Sequence, residues 1–342
     1  MPAFGKKRHP RVRGDDGGVR SFLILIAAMV FAALGASASG AQPVKMPTVY
    51  PTPTEIVAAA PASDWADISV NDLLVMDLAA DAKGQPRRVI IQLMPAPFSQ
   101  GWVGNIRKLA AAHWWDGLSI NRAQDNYVVQ WGDPNSDDPK LAKALPGGLV
   151  KVTQRNYVRR LRCTDFPCIK PPIGRPPVKL RDAYSFDQGF YQSFQTATDG
   201  RSDWPTHCYG MVGVGRDLPP DTGTGAELYV VIGQAPRQLD RNIALVGRVV
   251  EGMEHLSTLP RGHGPLGFYD LSKGDERVPI RSVRLASDLP AADQPHLQYL
   301  STESASFAKY VDARANRRDP FYIQPAGGVD ICNVPVPIRR KP

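Results

Sequence analysis

The strongest constraint on this chain's fold is the order of its apolar runs, because strand-like segments follow one another with little helix between them. LLVMDLA (73–79) and RRVIIQLM (87–94) are rich in β-formers and are joined by the turn ADAKGQP. GMVGVG, AELYVVIG, NIALVGRVV and VPIRSVRLA continue the series between 210 and 286, separated by Gly/Pro loops such as DLPPDTGTG. Two segments in this span have helical character: 99–115, with Trp102, Ile106 and Leu109 on one face, and VEGMEHLSTL at 250–259. A parallel nucleotide-binding sheet requires strands and helices to alternate, and here they do not. The expected class is all-β with helical caps, as a barrel or a sandwich.

The N-terminus reads as an export signal. Lys6, Lys7, Arg8, Arg11, Arg13 and Arg20 precede an unbroken apolar run at 22–34, followed by small residues with plausible cleavage sites around Ala38 and Ala41. A periplasmic location is therefore expected, with no stable membrane association once the segment 1–41 is removed. The competing reading is an uncleaved anchor, since no charge occurs between Arg20 and Lys45. Of the net charge of +8, half lies in the first twenty residues and much of the rest is scattered, which argues against a nucleic-acid partner. Export also gives meaning to an even number of cysteines. Three pairings can be drawn. Cys163 and Cys168 close the short loop CTDFPC, which leaves Cys208 for Cys332.

Several chemistries can be set aside. GVGRDL and GTGAEL lack the P-loop Lys and its strand-to-helix context. The six His form no metal-binding motif, so neither metal nor cofactor is expected. Ser306 and Lys309 spell S-x-x-K, but the companion motifs of cell-wall enzymes are missing and an ordinary amphipathic helix near 303–315 explains them. Residues 42–71 read as a Pro/Ala-rich linker with one short helix at 55–60, and 135–207 as the least regular part of the chain.

Residues 118–134, LSINRAQDNYVVQWGDP, alternate like a half-buried strand yet carry Arg122, Gln124 and Gln130. By periodicity alone Arg122 could be a solvated surface cation. The stretch sits in a longer arrangement, however. WWDGLSINRAQDNYVVQWGDP and TGTGAELYVVIGQAPRQLDRNIALVGRVVEGM, about 90 residues apart and in this order, resemble two blocks of the cyclophilin family of peptidyl-prolyl isomerases. Asp116, Gly117, Arg122, Gln130, Gly132, Asp133 and Pro134 keep step with the first block, and GMVGVGRD fits the strand before the second.

The resemblance covers about 72–287, with an insertion at 136–205, and leaves 288–342 as a C-terminal extension. It implies a cyclophilin-like eight-stranded antiparallel β-barrel closed by two helices. It also implies a monomer that assists folding by isomerising X-Pro bonds in proline-containing exported polypeptides. Arg122 would be the catalytic donor. Tyr127, Val128, Tyr229 and Leu239 would form the proline pocket, with Ile243 at its edge, and Gln130 would orient Arg122. Gly215, Arg216 and Glu227 would bind the peptide backbone. Asn121, Glu227 and Ile243 depart from the family's His, Gln and His, and Tyr127, Val128 and Tyr229 from its Phe, Met and Phe. A carboxylate at Glu227 raises the prospect of an ion pair that would occupy Arg122. The alternative reading is a peptide-binding chaperone of the same fold with little isomerase activity.

Overall fold

In the computed structural model, which describes residues 50–161 and 182–342, the two β-rich runs that open the domain pair as a hairpin. Strands β1 (Leu73–Leu78) and β2 (Arg87–Leu93) run antiparallel, with Leu74 opposite Ile91 and Met76 opposite Val89. The chain then supplies β3 (Ser119–Ala123), β4 (Val128–Gly132), β5 (Met211–Val214), β6 (Leu228–Val231), β7 (Leu245–Glu251) and β8 (Val278–Leu285). They close an eight-stranded barrel in the order β5-β6-β4-β3-β8-β1-β2-β7, every neighbour antiparallel. Closure removes the sheet edges that would otherwise expose unpaired backbone.

The barrel interior and its helical cover form one core. Leu74, Met76, Val89 and Ile91 from the hairpin meet Trp102, Ile106 and Leu109 of helix α2 (Gln100–Ala111), as the helical spacing predicts. Helix α1 (Pro53–Ala58) lies upstream, capped by Thr52 and ended before Pro61. α2 also ties down two loops beside the future site: Trp102 Nε1 donates to Thr222 O (3.1 Å), and Asn105 Nδ2 donates to Thr224 O (3.0 Å) and Val150 O (2.8 Å).

The expected helix at 250–259 is shorter than its sequence suggests. β7 continues to Glu251, pairing Val249 with Ile91 and Glu251 with Ile90, before α3 (Glu254–Ser257) begins. A partner strand with free ladder positions overrides a modest helical tendency. Leu256 of α3 still enters the core.

Outside the barrel the structure is more ordered than the sequence indicates. The described part of the stretch read as a linker forms α1 and the strand Trp65–Ile68. That strand joins Leu297–Leu300 and Ile338–Arg340 in a three-stranded sheet. Leu73, Val75 and Ile90, on the outer face of the hairpin, pack with Ile68, Ala286 and Leu297. This explains why LLVM is an unbroken apolar run: both faces of the strand are covered. Within the insertion, Arg159–Arg160, Ser202–Pro205, Phe194–Thr198 and Asp187–Tyr191 form a four-stranded sheet. Its short strands and polar turns gave little periodicity to read.

Helix α4 (Ala305–Ala315) matches the expected 303–315 segment, and the side chain of Ser304 caps its start. Cys208 and Cys332 are disulfide-bonded across a sequence separation of 124, joining the tail to the segment that leads into β5. Cys163, Cys168 and the export-type segment lie outside the described residues. Among the described residues no helix is long and apolar enough to cross a membrane.

Candidate active site

Four residues form a row across the barrel wall. Arg122 on β3 is opposite Gln130 on β4, Gln130 is opposite Tyr229 on β6, and Tyr229 is opposite Gly213 on β5. A register shift between Ile120 and Arg122 makes this alignment: Ile120 and Ala123 both face the core, and the extra residue, Asn121, lies between the paired positions. A bulge of this kind re-aims a side chain that strict alternation would place elsewhere. Asn121 is used locally, donating from Nδ2 to Gly132 O (3.1 Å) and accepting from the Ser119 hydroxyl (2.7 Å).

Alternation then builds an apolar patch beside Arg122. Val129, Trp131, Leu228 and Val230 point into the barrel, while Val128, Tyr229 and Val231 form a separate cluster with Tyr127 and Ile243. Leu239, on the short turn Arg237–Leu239, completes the wall. The Tyr229 ring lies over Gly213, where any Cβ would overlap the phenol, so this position admits no side chain. Its hydroxyl is 2.9 Å from Nε2 of His207, behind the pocket.

Arg122 is held by neutral groups. Nε donates to Leu266 O (2.7 Å), Nη1 to Gln130 Oε1 (3.2 Å), and Nη2 to Gln124 Oε1. The guanidinium also lies 5.6 Å from the Tyr127 ring centre and 5.3 Å from that of Phe268. Burial lowers its pKa, partly offset by Tyr127, but an arginine starts so high that it stays charged. These three hydrogen bonds use three of five N–H groups, leaving one on each Nη. Among the described residues Arg122 has no carboxylate ion-pair partner.

Glu227 therefore does not occupy Arg122. Its Oε1 accepts from the Asp133 backbone N–H (2.7 Å), and the Gln130 amide beside it favours the ionised carboxyl group. The carboxyl fills the space above Gly132 that a side chain there would take. Burial pushes its pKa up to about 7. The Asp133 N–H and Gln130 counter that rise, and the charges of Asp133 and Asp137 add to it.

All the residues expected at the site, namely Arg122, Tyr127, Val128, Gln130, Gly215, Arg216, Glu227, Tyr229, Leu239 and Ile243, line one cavity of about 740 Å³. Arg216 bridges the rim, with Nη2 donating to Asn242 O (2.9 Å). Sequence reasoning missed Leu266 and Phe268, which reach Arg122 from the loop before β8, and His207. The first contact spans 144 positions and the last 22, without a motif to link them. No group of three or more His, Cys, Asp or Glu that could hold a metal occurs among the described residues.

This arrangement provides an apolar slot with a cationic donor at its edge. It suits a reaction without a nucleophile or proton transfer, in which charge builds on one nitrogen.

Comparison with known proteins agrees with this geometry. A family model, cyclophilin type peptidyl-prolyl cis-trans isomerase/CLD, matches residues 86–285. The crystal structure of the cyclophilin AquaCyp293 from Hirschia baltica superposes with a TM-score of 0.60 at 21% identity, covering 85% of this chain and 98% of that one. That coverage exceeds the family segment, so the shared fold includes some of the surrounding layer. A cyclophilin type peptidyl-prolyl cis-trans isomerase of Cryptosporidium parvum is more distant, with a TM-score of 0.35 and 11% identity over 62% of this chain and 97% of that one. No curated protein matches the sequence.

Proposed function

The chain belongs to the cyclophilin-type peptidyl-prolyl cis-trans isomerase family, and from that premise we propose that it isomerises X-Pro bonds in exported polypeptides and so assists their folding. The export-type N-terminus supports this compartment, and a long-range disulfide is stable in an oxidising one. Arg122 is the proposed catalytic residue. The observation that carries the proposal is a guanidinium that, among the described residues, has no carboxylate partner and two uncommitted N–H groups, at the edge of an apolar pocket.

Amide resonance sets the barrier to rotation at roughly 18–20 kcal/mol. As the C–N bond twists, the nitrogen lone pair localises and becomes a hydrogen-bond acceptor. A fixed donor near that nitrogen is bonded more strongly in the twisted state than in the planar one, which lowers the barrier. The pocket of Tyr127, Val128, Tyr229, Leu239 and Ile243 grips the proline ring while the preceding residue turns. Gln130 holds one Nη of Arg122 in place, and Gly215, Arg216 and Glu227 line the path of the peptide.

Two measurements test this. Cis-trans exchange of a short X-Pro peptide should be fast with wild type and strongly reduced with Arg122→Ala. Refolding of a disulfide-containing protein limited by a cis proline should accelerate in proportion. Equal exchange rates for the two proteins would overturn the role of Arg122. Peptide binding without exchange in wild type would favour the chaperone reading.

A further inference from the structure

The hydroxyl of Tyr229 must be kept out of an apolar pocket. The residue is only 4% exposed and forms part of the wall against which a proline ring would rest. A hydroxyl turned into that space would be desolvated by the substrate without gaining a partner. The ring instead crosses Gly213 and presents its oxygen to His207, which is 1% exposed.

His207 is itself fixed from behind. Its Nδ1 lies 2.8 Å from Asp240 Oδ1, and the same oxygen accepts the His207 backbone N–H at 2.9 Å. Nδ1 thus carries the proton, and Nε2 is left to accept from the phenol. Burial discourages a second proton on the ring and outweighs the pull of Asp240. Burial also works against charge on Asp240, but His207 and Arg237 prevail and hold the carboxyl below its usual range. Asp240 Oδ2 accepts from Arg237 Nε (2.6 Å) and Trp204 Nε1 (3.3 Å), and Arg237 Nη2 donates to Asp182 (2.7 Å). Arg237 and Asp240 flank Leu239, so the same chain of bonds sets two of the pocket's walls.

We infer that His207 is a positioning residue for the proline pocket: backed by Asp240, it binds the Tyr229 hydroxyl from behind and leaves bare carbon facing the substrate. Trp204 and Asp182, both within the insertion, contribute to that backing, which gives the insertion a part in substrate binding. The inference rests on reading this cavity as the X-Pro site.

The test is a double-mutant cycle with kcat and KM measured separately on an X-Pro peptide. His207→Leu alone should raise KM about tenfold with kcat changed less than about threefold, because the hydroxyl loses its partner and turns to the pocket. Introduced into Tyr229→Phe, the same change should raise KM no more than about twofold, since no hydroxyl remains to be held. His207→Gln, which can still accept from the phenol, guards against misfolding of the leucine variant. It should raise KM less than threefold, and not at all beyond the value for Tyr229→Phe in that background. A KM defect that persists undiminished in Tyr229→Phe, or no defect in either His207 variant, overturns the inference while wild-type exchange stands. If wild type does not catalyse exchange, the reading of the site and this inference fall together.

Discussion

Arg122 and Tyr229 lie in one row of the barrel wall, with only Gln130 between them, yet they are held in different ways. Arg122 is held at the rim by two amide side chains and a carbonyl, without an ion pair among the described residues. Tyr229 is held at the floor by a buried series running through His207 and Asp240 to Arg237, next to the Cys208–Cys332 disulfide. The difference fits the tasks proposed for them. A donor that must bond more strongly to a twisted amide than to a planar one needs its charge uncommitted. A surface that grips a ring needs its own polar atoms satisfied elsewhere.

Substitutions can break or sharpen this contrast. The largest effect should come at the rim. Arg122→Ala should lower kcat/KM about 10²–10³-fold, roughly 3–4 kcal/mol, in a peptide exchange assay. Arg122→Lys should recover only part, because an ammonium lacks the planar fork that Gln124, Gln130 and Leu266 hold. If alanine costs nothing, the rim has no electrostatic role and the contrast disappears.

At the floor, replacing Cys208 and Cys332 with Ser should cost about 2–4 kcal/mol in denaturant unfolding, since the bond closes a separation of 124 residues. Because Cys208 adjoins His207, KM should rise more than kcat falls. A stability loss with unchanged KM would separate the disulfide from the floor.

Glu227 lies between the two regions and gives the contrast a pH dependence. Its pKa is raised to about 7 in the folded chain, against an ordinary 4.5. The folded state therefore binds its proton more tightly than the unfolded state. The stabilisation is fully present below about pH 4.5 and is lost as pH rises through 7. Glu227→Gln should remove that loss, gaining up to about 3 kcal/mol relative to wild type at pH 8 and little at pH 4. An ionised Glu227 attracts the neighbouring Gln130 amide, whose oxygen already accepts from Arg122 Nη1, and so favours that orientation of Gln130. Wild-type kcat/KM should accordingly rise with a midpoint near pH 7, and the Gln variant should lack that inflection. A pH profile identical in both proteins would remove Glu227 from the rim.

The smallest effect tests the seat of the ring. Gly213→Ala should push Tyr229 aside, costing about 1–3 kcal/mol in stability and raising KM several-fold.

Much of the site was legible because a β-ladder is a local code. Residues two apart share a face, so Val128 with Gln130, and Tyr229 with Val231, could be placed on one wall from the pattern and the family blocks. The pattern places Glu227 beside this row but does not decide its hydrogen-bond partner. Its carboxyl turns to the Asp133 N–H and Gln130 instead of Arg122, a choice made by the space over Gly132. The outer sheet was hidden because its three strands come from 65–68, 297–300 and 338–340, each too short to announce a partner so far away.

By itself the sequence determined the all-β class and the helical cap at α2, and its resemblance to two cyclophilin blocks implied the antiparallel barrel and the apolar wall beside Arg122, while three cysteine pairings stayed open. The class and the cap follow from short-range periodicity, and the barrel and wall from the resemblance of the two blocks. Only the tertiary structure decided that Arg122 is left without an ion pair among the described residues, that Phe268 and Leu266 approach it, and that His207 receives the Tyr229 hydroxyl. Those outcomes depend on which polar groups meet when distant loops are buried together. Burial makes each such group find a partner, but the choice of partner depends on where the packed loops bring them.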